Sequence, residues 1–350
     1  MNNSSEKKKE TKNKESINSN KINLNSLLNN SKFQKYFEKH IQFLENFELL
    51  EFIGSGSESE VYKVNIKSSK KTVAMKMISI KKNENKNINE INISKKLKNK
   101  NIINYYLSYE IEKNEAFCII MDYGKHGNLI DFQKNLLSKN YLSESILCFL
   151  TYQILNGLKY IHMCKIAHFD LKPQNIIVDE YLNIKIIDFS ISLDYKKIDS
   201  NEIKLPFRGT SFYMAPEVLK SDTINKNDLN KVDLYSLGII LYYLAFGFYP
   251  FELNYEDAKK YDIIYNKILK DLKFENEDNY YSSHFIEFVS KLLEKDINKR
   301  ININEALNHY WVKGANILFE EKEKTYNASN FLGYLVTDHF KNFDDYIQKK

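Results

Sequence analysis

HFDLKPQNIIV, residues 168–178, is the stretch on which the reading of this chain turns. Asp170 is followed by Lys172 and Asn175, and Pro173 lies between them. Proline fixes φ and has no N–H to donate, so the stretch reads as a loop and not as a helix interior. An aspartate so placed is suited to orient and deprotonate an attacking hydroxyl. The lysine is suited to neutralise a phosphoryl oxygen, and the asparagine to hold a divalent cation. Ten residues past the end of this run, IKIIDFS places Asp188 after an apolar strand. A second such side chain is what a hard cation bridging phosphates requires.

Upstream, IGSGSESEV (53–61) carries two glycines between strand-like runs. A glycine turn can bring backbone N–H groups close over phosphates. Ser59 stands where a third glycine would complete G-x-G-x-x-G, and taken alone the segment reads more readily as a hairpin turn. VAMK ends at Lys76. A lysine inside an apolar strand needs a partner for its charge, and Glu90 is the first acidic residue on the apolar stretch 88–97. In a chain with 49 lysines, an edge strand with a solvent-facing lysine is the competing reading.

Runs of strand length and β-branched or aromatic content lie at 47–54, 60–66, 72–78 and 117–123, with a helical candidate at 88–97. After Gly127 the pattern turns helical, at 145–163, at 232–247 and then in shorter pieces to 312. A small β-rich lobe followed by a larger helical lobe is an α+β arrangement. GTSFYMAPE (209–217), DLYSLG (233–238) and a late Arg300 follow the loop.

Composition narrows the class. The 350 residues suit one two-lobed domain or two ordinary ones, and a 43% hydrophobic share supports a real core. A net charge of +5 does not suggest a dedicated nucleic-acid binder. Cys118, Cys148 and Cys164 form no C-x-x-C pair, which reads as a reduced, intracellular chain. With no secretory signal visible, the expected location is the cytoplasm, with the nucleus as the alternative. The uncharged stretch 235–251 falls just short of a membrane span and contains Gly238, Gly247 and Pro250. It reads as a buried helix ending at a turn. Only two of the 51 basic residues are arginine, Arg208 and Arg300, which makes those positions worth close reading.

Over residues 46–312 the sequence resembles the eukaryotic protein kinase family, serine/threonine branch. The ordered motifs are the glycine-rich loop, V-A-x-K, H-x-D-x-K-x-x-N, D-F-x, G-T-x-x-Y-x-A-P-E, D-x-x-S-x-G and the late arginine. The resemblance implies a bilobal protein-kinase-like fold, with an N-lobe at 46–120, a hinge at 121–125 and a C-lobe at 126–312. It implies transfer of the ATP γ-phosphoryl group to serine or threonine hydroxyls of protein substrates, with Mg²⁺ as the metal and Mn²⁺ as an alternative. Asp170 would be the catalytic base, Lys172 would sit by the transferring phosphoryl, and Thr210 would bridge the two. Asn175 and Asp188 would hold the metal. Lys76 would contact the α/β-phosphates and pair with Glu90. Ile53, Gly54, Ser55 and Gly56 would form the phosphate loop. Val61, Ala74 and Ile177 would sandwich the base, Met121 would be the gatekeeper, and Asp122 and Gly124 would present backbone to adenine. Asn128 belongs to the same nucleotide-facing set. Glu217 and Arg300 match the family's buried ion pair, where a planar fork serves and lysine does not.

The departures carry expectations of their own. Phe169 stands where most regulated kinases have the arginine that grips a phosphorylated loop residue, and Pro206 stands at the usual acceptor position. Phosphorylation at that site is therefore not expected to be the switch. Ser190 replaces the glycine of D-F-G, which should restrict that segment's motion. Glu58 and Glu60 flank Ser59, and carboxylates above a triphosphate are adverse unless turned outward. Ser94 puts a polar side chain where an apolar one is usual, which should loosen its helix. Asn128, Gln174 and Tyr243 are not acidic, which argues against a simple arginine-directed substrate preference.

Residues 1–31 read as disordered low-complexity chain, 32–45 as an amphipathic helix and 313–350 as a charged, aromatic tail. Either flank, or a separate partner, is a candidate for stabilising the active state. The competing reading of the whole is a pseudokinase scaffold that binds nucleotide or partners without phosphoryl transfer. A lipid or small-molecule kinase fits less well, because GTSFYMAPE resembles a peptide-docking segment.

Overall fold

The computed structural model describes residues 31, 33, 40–56, 58–79, 86–112, 116–136, 142–275, 280–324, 331, 332 and 335. These fall into two compact units. The first is drawn from within Met1–Glu84 and Tyr105–Tyr123, the second from within Asn85–Asn104 and Gly124–Lys350.

In the first unit a one-turn helix, α1 (Ile41–Leu44), precedes five strands: β1 (Phe47–Ser55), β2 (Ser59–Ile66), β3 (Thr72–Ser79), β4 (Tyr105–Glu112) and β5 (Ala116–Met121). They form one antiparallel sheet in the order β1-β2-β3-β5-β4. Side chains alternate across a strand, so register decides which residues share a face. Tyr62 pairs with Met75 and Met75 with Ile120, which puts these three on one face. That face is buried with Val64, Val73, Met77 and Cys118, and Phe33 packs into the same cluster. Val61, Ala74, Lys76 and Met121 occupy the alternate positions and so line the other face.

Four of these strands match the runs expected from the sequence, and β4 was not expected. It is an edge strand with Tyr106 and Leu107 exposed, yet Leu107 to Glu112 alternates apolar and polar, which is a period-two signal the sequence reading passed over. The helix expected over 32–45 is observed only as α1, and residues 34–39 lie outside the described residues.

The second unit begins with α2 (Lys86–Ser94) and continues with α3 (Leu129–Leu136) and the 20-residue α4 (Glu144–Met163). Short ladders pair β6 (Ile166–Ala167) with β9 (Leu193–Asp194), β7 (Ile176–Val178) with β8 (Ile184–Ile186), and β10 (Glu202–Lys204) with β11 (Thr223–Asn225). The later helices are α5 (Pro216–Lys220), α6 (Lys231–Phe246), α7 (Tyr261–Ile268), α8 (Ser283–Leu292), α9 (Ile303–Asn308), α10 (Tyr310–Lys313) and α11 (Ala315–Lys324). Residues 235–246 of the uncharged stretch lie in α6, which is buried on nearly every side and stopped by Gly247 at φ +80°. Among the described residues no helix is long and apolar enough to cross a membrane.

Glu144 ties three helices together inside this unit. Its carboxylate accepts from Ser282 N (2.8 Å), Ser282 Oγ (2.6 Å) and Trp311 Nε1 (2.7 Å). A buried carboxylate is tolerable only when its lone pairs are so engaged. The tail is anchored too. Phe319 of α11 packs on Phe149 of α4 at 4.7 Å, and Ser143 and Ser145 donate to the Leu335 carbonyl at 3.1 Å each.

Candidate active site

The loop 168–175 is held from beneath by α6. Asp233, fully buried, accepts from the backbone N–H of His168 (2.9 Å) and of Phe169 (3.0 Å) and from His162 Nε2 (2.9 Å). Burial pushes its carboxyl pKa up, but the bond from His162, the two imidazoles and the His168 N–H outweigh this and hold it below the usual carboxylate range. His168 donates from Nε2 to the Ile187 carbonyl (2.9 Å) and accepts at Nδ1 from Asp170 N (3.2 Å). These two bonds fix its tautomer and orient the next turn.

On that support four sequence-predicted residues converge. Thr210 Oγ1 donates to Asp170 Oδ1 (2.7 Å). Lys172 Nζ bonds Asp170 Oδ2 (2.7 Å) and Thr210 Oγ1 (2.9 Å). Asn175 Nδ2 donates to Asp170 Oδ2 (3.0 Å) and to the Asp170 carbonyl (2.8 Å). The Asp170 carboxylate is thus fixed in direction by three separate donors.

Asp188 is brought to this cluster through the backbone. Ile186 pairs with Ile176, and Ile187 N donates to the Asn175 carbonyl (2.9 Å). Asp188 takes φ +67°, a region aspartate enters more readily than most residues. Phe189 is fully buried against His168, with ring centroids 5.1 Å apart. Asn89 of α2 donates to the carbonyls of Phe189 (3.3 Å), Ser190 (3.3 Å) and Ser192 (2.9 Å), which staples the helix to this segment. Ser190 is not among the residues with positive φ, so the observed conformation makes no demand for glycine. An asparagine carboxamide and one aspartate suit Mg²⁺, which usually takes few protein ligands and fills its octahedron with phosphate oxygens and water.

Gly124, Asn128 and Ile177 also lie in the second unit. A Cβ at Gly124 would come within 2.8 Å of Ile177 Cβ, so only glycine permits this approach. Asn128 caps α3, its Oδ1 accepting from Ile130 N (2.9 Å) and Asp131 N (3.2 Å). Glu90, buried, lies on α2.

Ile53, Gly54, Ser55, Gly56, Val61, Ala74, Lys76, Met121 and Asp122 lie in the first unit. Val61 pairs with Gly54 and with Lys76, and Ala74 pairs with Met121. A Cβ at Gly54 would meet no atom within 4 Å, so the face beside it is open. The Asp122 carboxylate accepts from the Tyr106 hydroxyl, which also accepts from Lys71 Nζ (2.6 Å). The concern over Glu60 is corrected. Its alternation with Val61 places it on the core face, where it is buried and accepts from Tyr62 (2.6 Å) and Ser31 (2.6 Å) hydroxyls.

Sequence reasoning quoted DLYSLG without a role for Asp233 and left Arg208 unassigned. A signal existed for Asp233, the sole charge between Val232 and Pro250. Asn89 offered none in an asparagine-rich chain.

Residues 47–312 match the family described as "Protein kinase domain". The chain is 29% identical over 304 residues to the MAP kinase kinase MKK1/SSP32 of Saccharomyces cerevisiae, across 84% of this chain and 57% of that protein. It is 34% identical over 273 residues to the serine/threonine-protein kinase pakH of Dictyostelium discoideum, across 77% of this chain and 50% of that protein. It is 32% identical over 280 residues to myosin light chain kinase A of the same organism, across 77% and 89%. The matched stretch therefore spans about half the length of the first two relatives.

Proposed function

The chain belongs to the protein kinase family, serine/threonine branch, and from that premise we propose that it transfers the γ-phosphoryl group of ATP to serine or threonine hydroxyls of proteins. The observation that carries this reading is the network of Asp170, Lys172, Thr210 and Asn175.

In this mechanism Asp170 accepts the proton of the incoming hydroxyl and sets its line of approach. Thr210 and Lys172 hold the carboxylate in place, and Lys172 offsets the charge spread over the transferring phosphoryl oxygens. Asn175 and Asp188 would hold Mg²⁺, whose chemistry is to neutralise and orient the phosphates. Lys76 would bind the α/β-phosphates and pair with Glu90. Val61, Ala74 and Ile177 would enclose the base, and Asn128 would offer its Nδ2 to a ribose hydroxyl. The kinase domain occupies 46–312, with the flanks as accessory segments, and the protein works in the cytoplasm or nucleus. Activity does not depend on a phosphate at the usual acceptor position of the activation segment, since Phe169 and Pro206 remove both the grip and its acceptor; Ser190, Ser192, Tyr195 and Ser200 are the other hydroxyls there.

The test is incubation of the full chain with Mg²⁺, labelled ATP and a generic protein substrate, beside Asp170→Asn. Transfer by the wild type alone supports the enzyme. Nucleotide binding without transfer favours the scaffold reading.

A further inference from the structure

Arg208 ends the activation segment one residue before Gly209 and Thr210. The three engage the catalytic loop in register. The guanidinium carbon lies 5.5 Å from the Phe169 ring centroid, within the roughly 6 Å over which a cation and a ring face attract. Gly209 takes φ +114°, and a Cβ there would stand 2.4 Å from the Phe169 carbonyl oxygen. Thr210 reaches Asp170 at 2.7 Å. Arg208 also donates from Nη1 to the carbonyl of Ile191 at 2.8 Å. That bond joins the start of the segment, just past D-F-S, to its end.

We propose that Arg208 is a positioning residue for phosphoryl transfer, a clasp that cross-links Ile191, Phe169 and the Gly209–Thr210 turn without any phosphate. The arrangement inverts the one in which a loop arginine grips a segment phosphate. Here the cation is in the segment and its partner in the loop is a neutral ring.

Four observations support the clasp. Arg208 is half-buried, its burial pushes the guanidinium's pKa down, and among the described residues no carboxylate pairs with it. A withdrawn charge needs compensation, and the ring and the carbonyl are what it has. Phe169 is held in place. It is buried, its N–H is held by Asp233 at 3.0 Å, and its φ of +65° is a strained setting kept only by its surroundings. The middle of the segment is tied down separately. Glu202–Lys204 pairs with Thr223–Asn225, and Leu205 N and Lys226 N bond the Asp222 and Asn201 carbonyls at 2.9 and 2.8 Å. The residue at the usual acceptor position, Pro206, has no hydroxyl to modify.

The inference rests on the kinase reading, so its test carries one readout that does not. Full-length wild type, Arg208→Ala, Arg208→Lys, Phe169→Leu and the Arg208→Ala/Phe169→Leu double variant are compared. The measurements are kcat, KM for ATP, thermal midpoint and the rate of subtilisin cleavage between residues 191 and 208. Each single truncation should lower kcat roughly tenfold to hundredfold with KM for ATP within about twofold, because misaligning Thr210 and Asp170 affects the reacting geometry. The double variant should be no worse than either single, since both remove the same contact. Arg208→Lys should recover part of kcat, keeping the charge over the ring but not the planar fork. Cleavage should quicken in the truncated variants without a matching fall in thermal midpoint. A kcat for Arg208→Ala within twofold of wild type, or losses that multiply in the double variant, overturns the proposal. If the wild type transfers no phosphoryl group, the kinase reading fails and the protease readout decides alone: unchanged cleavage in Arg208→Ala sinks the clasp. Should Arg208→Ala not fold, Arg208→Lys and Phe169→Leu carry the same comparison.

Discussion

Glu217 and Arg300 meet as a two-point fork in the interior, with Nη1–Oε1 at 2.7 Å and Nη2–Oε2 at 3.0 Å. Arg300 is 1% exposed, lies over the Tyr235 ring at 4.9 Å, and also donates to the carbonyls of Glu294 and Lys231. It thereby fastens α5, through Glu217, to the chain after α8. Removing one partner of such a pair leaves a buried charge unpaired, at about 3–5 kcal/mol. Arg300→Lys, which keeps the charge and loses the fork, is expected to lower stability by about 2 kcal/mol or more. Urea unfolding checks this, and a loss below about 0.5 kcal/mol would show that the fork geometry is immaterial.

Asp233 makes stability depend on acid. Its folded carboxyl titrates below the ordinary value, so the stabilisation is fully present above about pH 4 and is lost as pH falls through the depressed folded value. Asp233→Asn should flatten the stability curve below about pH 4 and cost about 1–3 kcal/mol at neutral pH, because one acceptor now serves three donors. Unfolding midpoints measured from pH 3 to pH 7 are the check, and a variant that parallels the wild type throughout would refute it.

Ser94 is 4% exposed, and its Oγ has no hydrogen-bond partner among the described residues. Ser94→Ala removes the desolvated hydroxyl at little cost in volume and is expected to stabilise by about 1 kcal/mol. Denaturant titration that shows a loss instead would mean the hydroxyl is satisfied.

Glu60 bonds Tyr62 and Ser31 on the core face of the first sheet. Glu60→Gln should therefore leave KM for ATP within about twofold while lowering the thermal midpoint by a few degrees. A severalfold drop in KM would place its carboxylate beside the nucleotide after all.

Phosphatase treatment of purified protein is expected to leave its activity unchanged, since neither Phe169 nor Pro206 takes part in phosphate recognition. If treatment abolished activity and rephosphorylation at one segment residue restored it, the phosphate-independent reading would fail.

What could be read from the chain was local. Asp170, Lys172 and Asn175 lie within six residues on a proline-marked loop, and β2 and β3 show as runs of strand length with β-branched or aromatic content. β4 carries an apolar–polar alternation from Leu107 to Glu112 and was nevertheless missed. Asp233 lies 65 residues from His168, and Arg208 lies 17 from Ile191 and farther still from Phe169, so neither pairing has a spacing signature. Glu60 was placed on the wrong side because a glutamate beside a glycine turn says nothing about which way it faces until the strand register is set.

The order of short motifs by itself determined the family, the fold class and the identity of the polar residues in the catalytic loop, because each motif is a local arrangement whose chemistry depends on near neighbours. The tertiary structure alone decided what supports that loop. The Asp233 acceptor, the Asn89 bonds to the segment after Asp188 and the Arg208–Phe169 stack join residues far apart in the chain, and a hydrogen bond or a cation over a ring depends on distance in space, which sequence separation does not encode.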